Sequence, residues 1–198
     1  MSIPSSHTCY SLMDEYDMLD NIRAHSIMVA RVSQVLLLEL TISSSSPRVP
    51  SKELVLAGAL LHDIAKTPCL KERCDHAKKG RDICQQHGYA EVAEVVREHV
   101  MLTEFSPDRY TKGHFLAKEI VYYADKRVLH DEIVSLEQRL DYIIEYYGNN
   151  DPARHALIRE NFTKCQELES FLFSTITSTP DIITEAANNT ELPVFHES

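Results

Sequence analysis

A histidine and an aspartate stand side by side at positions 62 and 63, directly after an apolar run over residues 54–61. Both polar side chains therefore lie next to a core, where an uncompensated imidazole or carboxylate is costly. A metal ion compensates both, because it converts the two side chains into ligands. Such a pair at a helix end is more often solvated than a metal site, so the metal hypothesis depends on other histidines and aspartates.

Three further candidate ligands, His25, His99 and Asp125, share helical faces with apolar residues and are expected to point inward. The alternative for each histidine is a core imidazole satisfied by a local hydrogen bond. The alternative for Asp125 is a solvated helix-end carboxylate paired with Lys126. The apolar residues concerned are Ile22, Val29, Val32 and Leu36 for His25, Val92 with Val95 or Val96 for His99, and Tyr122, Tyr123 and Ala124 for Asp125.

The composition restricts the class of protein. The chain has 198 residues, 43% hydrophobic and 25% charged, which is typical of one ordinary globular core. A net charge of −10 repels nucleic-acid backbones and anionic membranes, so neither is an expected partner. A small anionic substrate in a locally positive, metal-charged pocket stays compatible with that charge. No stretch approaches the roughly 20 apolar residues of a membrane span, and no apolar signal core follows the N-terminus, so a cytoplasmic protein is expected.

The cysteines are odd in number and lack CxxC spacing. This pattern predicts reduced thiols in a cytosolic protein rather than a disulfide framework or a zinc site. The residues are Cys9, Cys69, Cys74, Cys84 and Cys165.

Glycine and proline are few and fall between apolar-periodic segments, which favours long helices. Thr67-Pro68 is expected to close the central helix, because the residue before proline avoids helical geometry. A polar loop over residues 41–50, a connector over residues 69–73 and a flexible tail over residues 178–198 are predicted. Helices are expected at about 20–39, 51–67, 76–87, 90–100, 114–127, 131–147 and 152–176. The expected N-caps are Asp20, Ser51, Asp75, Asp131 and Asp151. Gly148 is expected to end the helix at 131–147.

The order of these residues resembles the HD-domain metal-dependent phosphohydrolase superfamily, whose pattern is H…HD…D. The similarity is closer to its HDIG-type branch and covers about residues 20–128. The segments that carry it are 62–66 (HDIAK), 76–80 (HAKKG), 97–99 (REH) and 123–126 (YADK). The resemblance implies an all-α fold, a compact HD-domain bundle of about seven to eight helices. We expect a single domain over residues 1–177 with a C-terminal helical extension, which either packs on the bundle or forms a homodimer contact.

The resemblance also implies two metal sites that share one aspartate. The ligands would be His25, His62, Asp63 and Asp125 for one ion, and His76, His99 and Asp63 for the other. Such a histidine-rich set suits iron, manganese, nickel, cobalt or zinc better than magnesium or calcium. The alternatives are a solvent-exposed helix start for His76 and a backbone hydrogen bond for His99.

Asp63 and Lys66 are the candidate catalytic residues. Two close cations would share a water and lower its pKa, with Asp63 between them. Lys66 lies one turn beyond His62 and would reach the phosphate or the leaving oxygen; the alternative is an exposed helix-end lysine favoured by the helix dipole.

The expected activity is therefore hydrolysis of a small phosphoester or nucleotide. The run after His99 contains no nearby arginine, which argues against dinucleoside polyphosphates. The GYP signature of cyclic-dinucleotide phosphodiesterases is also absent. Two alternatives stay open: a di-iron HD-fold oxygenase with the same six ligands, and a non-catalytic signalling or binding module.

Overall fold

The computed structural model describes residues 2–43 and 49–197, and its helices confirm the predicted all-α class. Within this part of the chain the helices are α1 (Ser6–Glu15), α2 (Asp20–Ser43), α3 (Lys52–Leu61), α4 (Lys66–Glu72), α5 (His76–Gln86), α6 (Ala90–Glu98), α7 (Pro107–Tyr110), α8 (Ala117–Lys126), α9 (Leu136–Tyr147), α10 (Pro152–Thr175) and α11 (Pro180–Asn188). A short antiparallel hairpin pairs β1 (Val128–Leu129) with β2 (Glu132–Ile133). The short helices α4, α7 and α11 add to the seven or eight that were expected.

Four helices, α2, α3, α6 and α8, form the core. Residues 55–61 of α3 are all buried, and a helix that is apolar all round belongs at the centre of a fold. Helix α2 packs against α3 and α8, and α6 also contacts α3 and α8. Each of these helices carries or directly precedes a candidate ligand: His25 in α2, His62 and Asp63 after α3, His99 after α6, and Asp125 in α8.

Gly58 sets the distance between α3 and α6. A Cβ atom at this position would lie 2.5 Å from Val95 Cγ1 and 3.0 Å from Val95 Cβ. Gly58→Ala is therefore expected to lower the free energy of unfolding by about 2 kcal/mol, because overpacking outweighs the better helix propensity of alanine. Urea denaturation measures this change. A Gly58→Ala protein at least as stable as the wild type would contradict the close helix contact.

The segment after α3 differs from the prediction. Helix α3 ends at Leu61, residues 62–65 form a turn, and α4 begins at Lys66. The predicted helix end at Thr67-Pro68 is wrong, since Pro68 lies in the first turn of α4, where a missing N–H costs no hydrogen bond. The predicted connector over residues 69–73 is also helical as far as Glu72.

Cys69 and Cys74 form a disulfide bond, so the prediction of reduced thiols is wrong for this pair. Arg73, in left-handed geometry at φ 54°, ends α4 and turns the chain back. The two Cα atoms thus lie 4.8 Å apart, within the range that a disulfide requires. In the described part of the chain Cys9, Cys84 and Cys165 are free, as predicted, and all three are buried.

The predicted N-cap at Asp131 is wrong, because Asp131 lies in the turn between β1 and β2. Helix α9 begins after Ser135 instead, where the Ser135 hydroxyl accepts from Gln138 N–H and the Gln138 side chain accepts from Ser135 N–H. The predicted caps at Ser51, Asp75 and Asp151 are confirmed. Gly148 also ends α9 as predicted.

Helix α2 begins at Asp20 itself and extends beyond its predicted end, to Ser43. The predicted loop over residues 41–50 therefore overlaps α2, and its residues 44–48 lie outside the described residues. By length and composition α2 could cross a membrane, with a mean hydropathy of 1.4. Because 56% of that window is buried inside the protein, we interpret α2 as a core helix of this fold.

The C-terminal segment corrects the prediction of a flexible tail over residues 178–198. Helix α11 lies in this segment and packs against α2, with Ile183 and Ala187 buried one turn apart. Phe195 is also buried, and its N–H and C=O bond to Ser6. The short apolar pattern of α11 is too weak to predict a helix, and contact with α2 stabilises it.

Candidate metal centre

One group of histidines and carboxylates surrounds Asp125. The Oδ1 atom of Asp125 lies 3.0 Å from His25 Nε2 and 3.6 Å from His62 Nε2. Asp63 Oδ2 lies 3.5 Å from the same His62 nitrogen. The ligand atoms of His25, His62 and Asp125 all lie within 4.8 Å of one another. The fold thus brings together the residues predicted to bind the first ion.

The second group lies on the other side of Asp63. Asp63 Oδ1 is 3.4 Å from His76 Nε2 and 3.6 Å from His99 Nε2, and these two nitrogens are 3.2 Å apart. Asp63 therefore directs one oxygen to each group, as a bridging ligand would. The side chain of Asp63 is only 2% exposed, so solvent does little to compensate its charge.

Backbone carbonyls orient three of the four imidazole rings. Nδ1 of His62 lies 2.7 Å from Ala59 O, and Nδ1 of His99 lies 2.7 Å from Val96 O. Nδ1 of His25 lies 2.9 Å from His130 O, in the turn of the hairpin. Each carbonyl is an acceptor only, so Nδ1 carries the proton and Nε2 presents a lone pair toward the carboxylates. This is the tautomer that binds a metal through Nε2.

The residues present fit divalent metal ions. Among the described residues His62 Nε2 and Asp63 Oδ1 are buried without a hydrogen-bond partner, which is costly in a core. Both atoms face the centre of the cluster, where Nε2 atoms and carboxylate oxygens converge. Imidazole nitrogen with carboxylate oxygen is a donor set typical of iron, manganese, cobalt, nickel and zinc sites. An ion would therefore satisfy the atoms that the protein leaves without partners.

The two carboxylates are held in their ionised form. Burial opposes their charge, but Lys66 and His62 outweigh it and hold the pKa of Asp63 well below its usual range. Burial is likewise outweighed for Asp125, whose pKa the neighbouring His25 and His62 hold well below its usual range. Both side chains are thus available as anionic ligands.

The histidines divide into two kinds. Burial lowers the pKa of His99 to about 4 and also lowers the pKa of His76. For His62, burial acts in the same direction, but the carboxylates Asp63 and Asp125 outweigh it and raise the pKa. His76 and His99 are therefore neutral at neutral pH, which is the state that binds a metal.

Two lysines contact the cluster. Lys66 Nζ donates to Asp63 Oδ2 at 2.7 Å, and this carboxylate outweighs burial and raises the lysine pKa. Lys66 is thus not the exposed helix-end lysine of the alternative; it begins α4, where the helix dipole disfavours a cation. Lys126 is buried, which lowers its pKa, and its Nζ donates to His99 O at 2.8 Å while lying 3.5 Å from Asp125 Oδ2.

A cavity of about 480 Å³ opens onto the cluster. Asp63, His76, His99 and Asp125 line it, together with residues of α9 and α10. The other lining residues are Lys66, Cys74, Val100, Met101 and Lys126. The apolar periodicity of α9 and α10 predicted packing elements and not their part in the cavity lining. The spacing of Arg139, Ile143 and Tyr147 at every fourth residue of α9 is the signal that a shared face was present. The α10 residues are Arg154, Leu157, Ile158, Asn161 and Phe162.

Comparison with known proteins supports the interpretation of this site. A family model described as HD domain matches residues 22–136, which is more than half of the chain and includes all six candidate ligands. No curated protein and no solved structure matches the chain. Members of the matched family are generally metal-dependent hydrolases that bind divalent ions through histidine and aspartate. From this match, together with the helical fold and the His/Asp cluster, we conclude that the chain belongs to the HD domain family.

Proposed function

We propose that this protein is a phosphohydrolase that uses two divalent transition-metal ions to cleave a small phosphoester or nucleotide. The observation that carries the proposal is the position of Asp63, whose two oxygens face separate histidine groups. An ionised carboxylate that lies between two groups of imidazole nitrogens could act as a ligand for two adjacent cations.

The residues that would hold the two ions divide around Asp63. They are His25, His62 and Asp125 on one side, and His76 and His99 on the other. When bound, such ions lower the pKa of water and neutralise charge on phosphate oxygens. Lys66 is a positioning residue in this arrangement, because its hydrogen bond holds Asp63 Oδ2.

The cavity is suited to a small anion. The cavity lining contains four cationic side chains and two carboxylates, although the whole chain carries a net charge of −10. The cationic residues are Lys66, Lys126, Arg139 and Arg154. Such a local excess of positive charge favours an anionic substrate. The volume of about 480 Å³ falls in the range of small-molecule sites, which supports a small phosphorylated substrate rather than a nucleic acid.

Metal content per chain tests the number of ions. After anaerobic purification the wild type is expected to contain about two ions, and His76→Ala about one, because the variant removes a ligand of only one site. His87→Ala is the matched control, since His87 caps the same helix α5 outside the cavity and contacts Tyr16. Equal metal content in the wild type and His76→Ala would contradict the two-ion site.

Activity on a phosphoester panel tests the reaction. Hydrolysis of p-nitrophenyl phosphate or a nucleoside monophosphate by the metal-loaded wild type, and its loss in His62→Ala, would support the proposal. Oxygen consumption by an iron-loaded protein that hydrolyses no phosphoester would support the oxygenase alternative. Normal activity after loss of His62 and Asp63 would exclude both kinds of metal enzyme.

A further inference from the structure

The outer cavity wall is formed by residues beyond the family match, which ends at residue 136. On α9 the cavity residues Arg139, Ile143 and Tyr147 repeat every fourth position and so form one helical face. On α10 the cavity residues also fall on one face, at positions 154, 157–158 and 161–162. One face of α9 and one face of α10 thus line the same cavity as the histidine and aspartate cluster.

Arg139 is buried in that wall without a hydrogen-bonded anion. Its side chain is 10% exposed, and its Nε has no hydrogen-bond partner among the described residues. Its Nη2 lies 4.0 Å from Asp125 Oδ1, beyond hydrogen-bond distance. That oxygen already lies 3.0 Å from His25 Nε2. The nearest aromatic contact places the guanidinium 5.6 Å from the centre of the Tyr142 ring, which supplies no acceptor for its N–H groups.

A buried guanidinium in this state is costly unless an anion reaches it. Its five N–H donors form a planar fork that matches phosphate oxygens, with which arginine commonly makes two parallel hydrogen bonds. Because Arg139 lines the cavity, the anion can come from the solvent side. The other buried cation of the cavity, Lys126, already donates to His99 O.

Apolar side chains line the cavity beside Arg154 and Asn161, and some of them are open to solvent. On α10, Leu157 is 58% exposed and Phe162 is buried. Ile143 and Ile158 are half-buried, and Met101, which follows α6 and also lines the cavity, is 46% exposed. Large apolar side chains at a cavity mouth lose contact with water when an apolar ligand group covers them.

We propose that Arg139 binds the anionic group of the substrate while the α9–α10 wall contacts an apolar body, so that the substrate is an organic phosphate with an aryl or alkyl part. This inference deepens the proposed phosphohydrolase function and rests on it for the reaction. Arg139 is a specificity-determining residue here, and the cavity selects against small, fully polar phosphates.

Phosphonates provide the test, because their C–P bond resists hydrolysis and they report binding alone. Isothermal titration of the metal-loaded wild type is expected to show phenylphosphonate binding at least about tenfold more tightly than methylphosphonate, from burial of the ring. Arg139→Gln is expected to weaken both phosphonates by about 10- to 100-fold. Leu157→Gln is expected to lower the preference for phenyl by about threefold, and since Leu157 is largely exposed, this change leaves the core intact.

Three controls define the outcome. Arg159→Gln removes the same charge from an exposed position of α10 outside the cavity and is expected to bind like the wild type. Circular dichroism and metal content of Arg139→Gln are expected to equal those of the wild type, while Arg139→Lys recovers part of the affinity.

Unchanged phosphonate affinity in a folded, metal-loaded Arg139→Gln protein would overturn the role of Arg139. Equal wild-type affinity for phenylphosphonate and methylphosphonate, or no binding of either, would overturn the proposed substrate class. Phosphoester hydrolysis is measured separately. Its absence alongside the expected phosphonate pattern would reject the phosphohydrolase function and leave the recognition site intact.

Discussion

Asp63→Asn is expected to lower kcat for phosphoester hydrolysis by about 10³-fold or more, the largest effect of any single conservative change. Asparagine keeps the shape of aspartate but removes the negative charge that faces both histidine groups. Loss of several kcal/mol of charge stabilisation in the transition state corresponds to at least about three factors of ten in rate. Steady-state kinetics with p-nitrophenyl phosphate measures the effect, and metal analysis of the variant reports the accompanying loss of ions.

Asp82→Asn serves as the matched control for this variant. Asp82 is exposed on α5, where it pairs with Arg81 outside the cavity, so its neutralisation is expected to leave kcat unchanged. An Asp63→Asn protein that kept both wild-type kcat and wild-type metal content would show that Asp63 does not bridge two ions.

Removal of the metal is expected to lower Tm by about 8–16 °C. The buried Asp63 and His62 and the half-buried Asp125 then keep unsatisfied or mutually close polar atoms at the site. A ligand at a thousandfold excess over its Kd stabilises the native state by about 4 kcal/mol. For a chain of this length each kcal/mol corresponds to roughly 2–4 °C. Differential scanning calorimetry before and after chelation measures the shift.

Recovery of Tm after adding back different divalent metal ions shows which ions the site prefers. Zinc, manganese, cobalt, nickel or iron is expected to restore Tm, whereas calcium and magnesium are expected to restore little, because the ligand set is rich in imidazole. His87→Ala should respond to chelation like the wild type, and His76→Ala should show a smaller shift. A protein stripped of its metal with an unchanged Tm would contradict the view that the ions compensate the buried cluster.

The fold class and the ligand cluster could be predicted because each depends on local patterns. His25, His99 and Asp125 lie on apolar helical faces, and such faces turn inward wherever helices pack. The order of the motifs then favoured a metal-site interpretation over unrelated core histidines. Burial of His25 and His99 by the core helices agrees with that interpretation.

The features that the sequence did not reveal depend on contacts between distant segments. Arg139 lies 14 positions beyond Asp125 in sequence, and its direction into the cavity follows from how α9 packs, which no local pattern encodes. The disulfide between Cys69 and Cys74 depends on the left-handed turn at Arg73. The hairpin that replaced the predicted cap at Asp131 is only two residues long on each side, too short for an alternating pattern.

The carbonyls that orient the histidines have a consequence for how this site tolerates mutation. His62 and His99 each bond to the carbonyl three residues earlier, at the ends of α3 and α6, so no side-chain substitution can delete either acceptor. Neighbouring residues are therefore free to vary and reshape the cavity while these two rings stay aligned. His25 differs, because its acceptor belongs to His130 in the distant hairpin. Insertions or deletions between β1 and β2 would move the carbonyl of His130 and so disturb the orientation of the His25 ring.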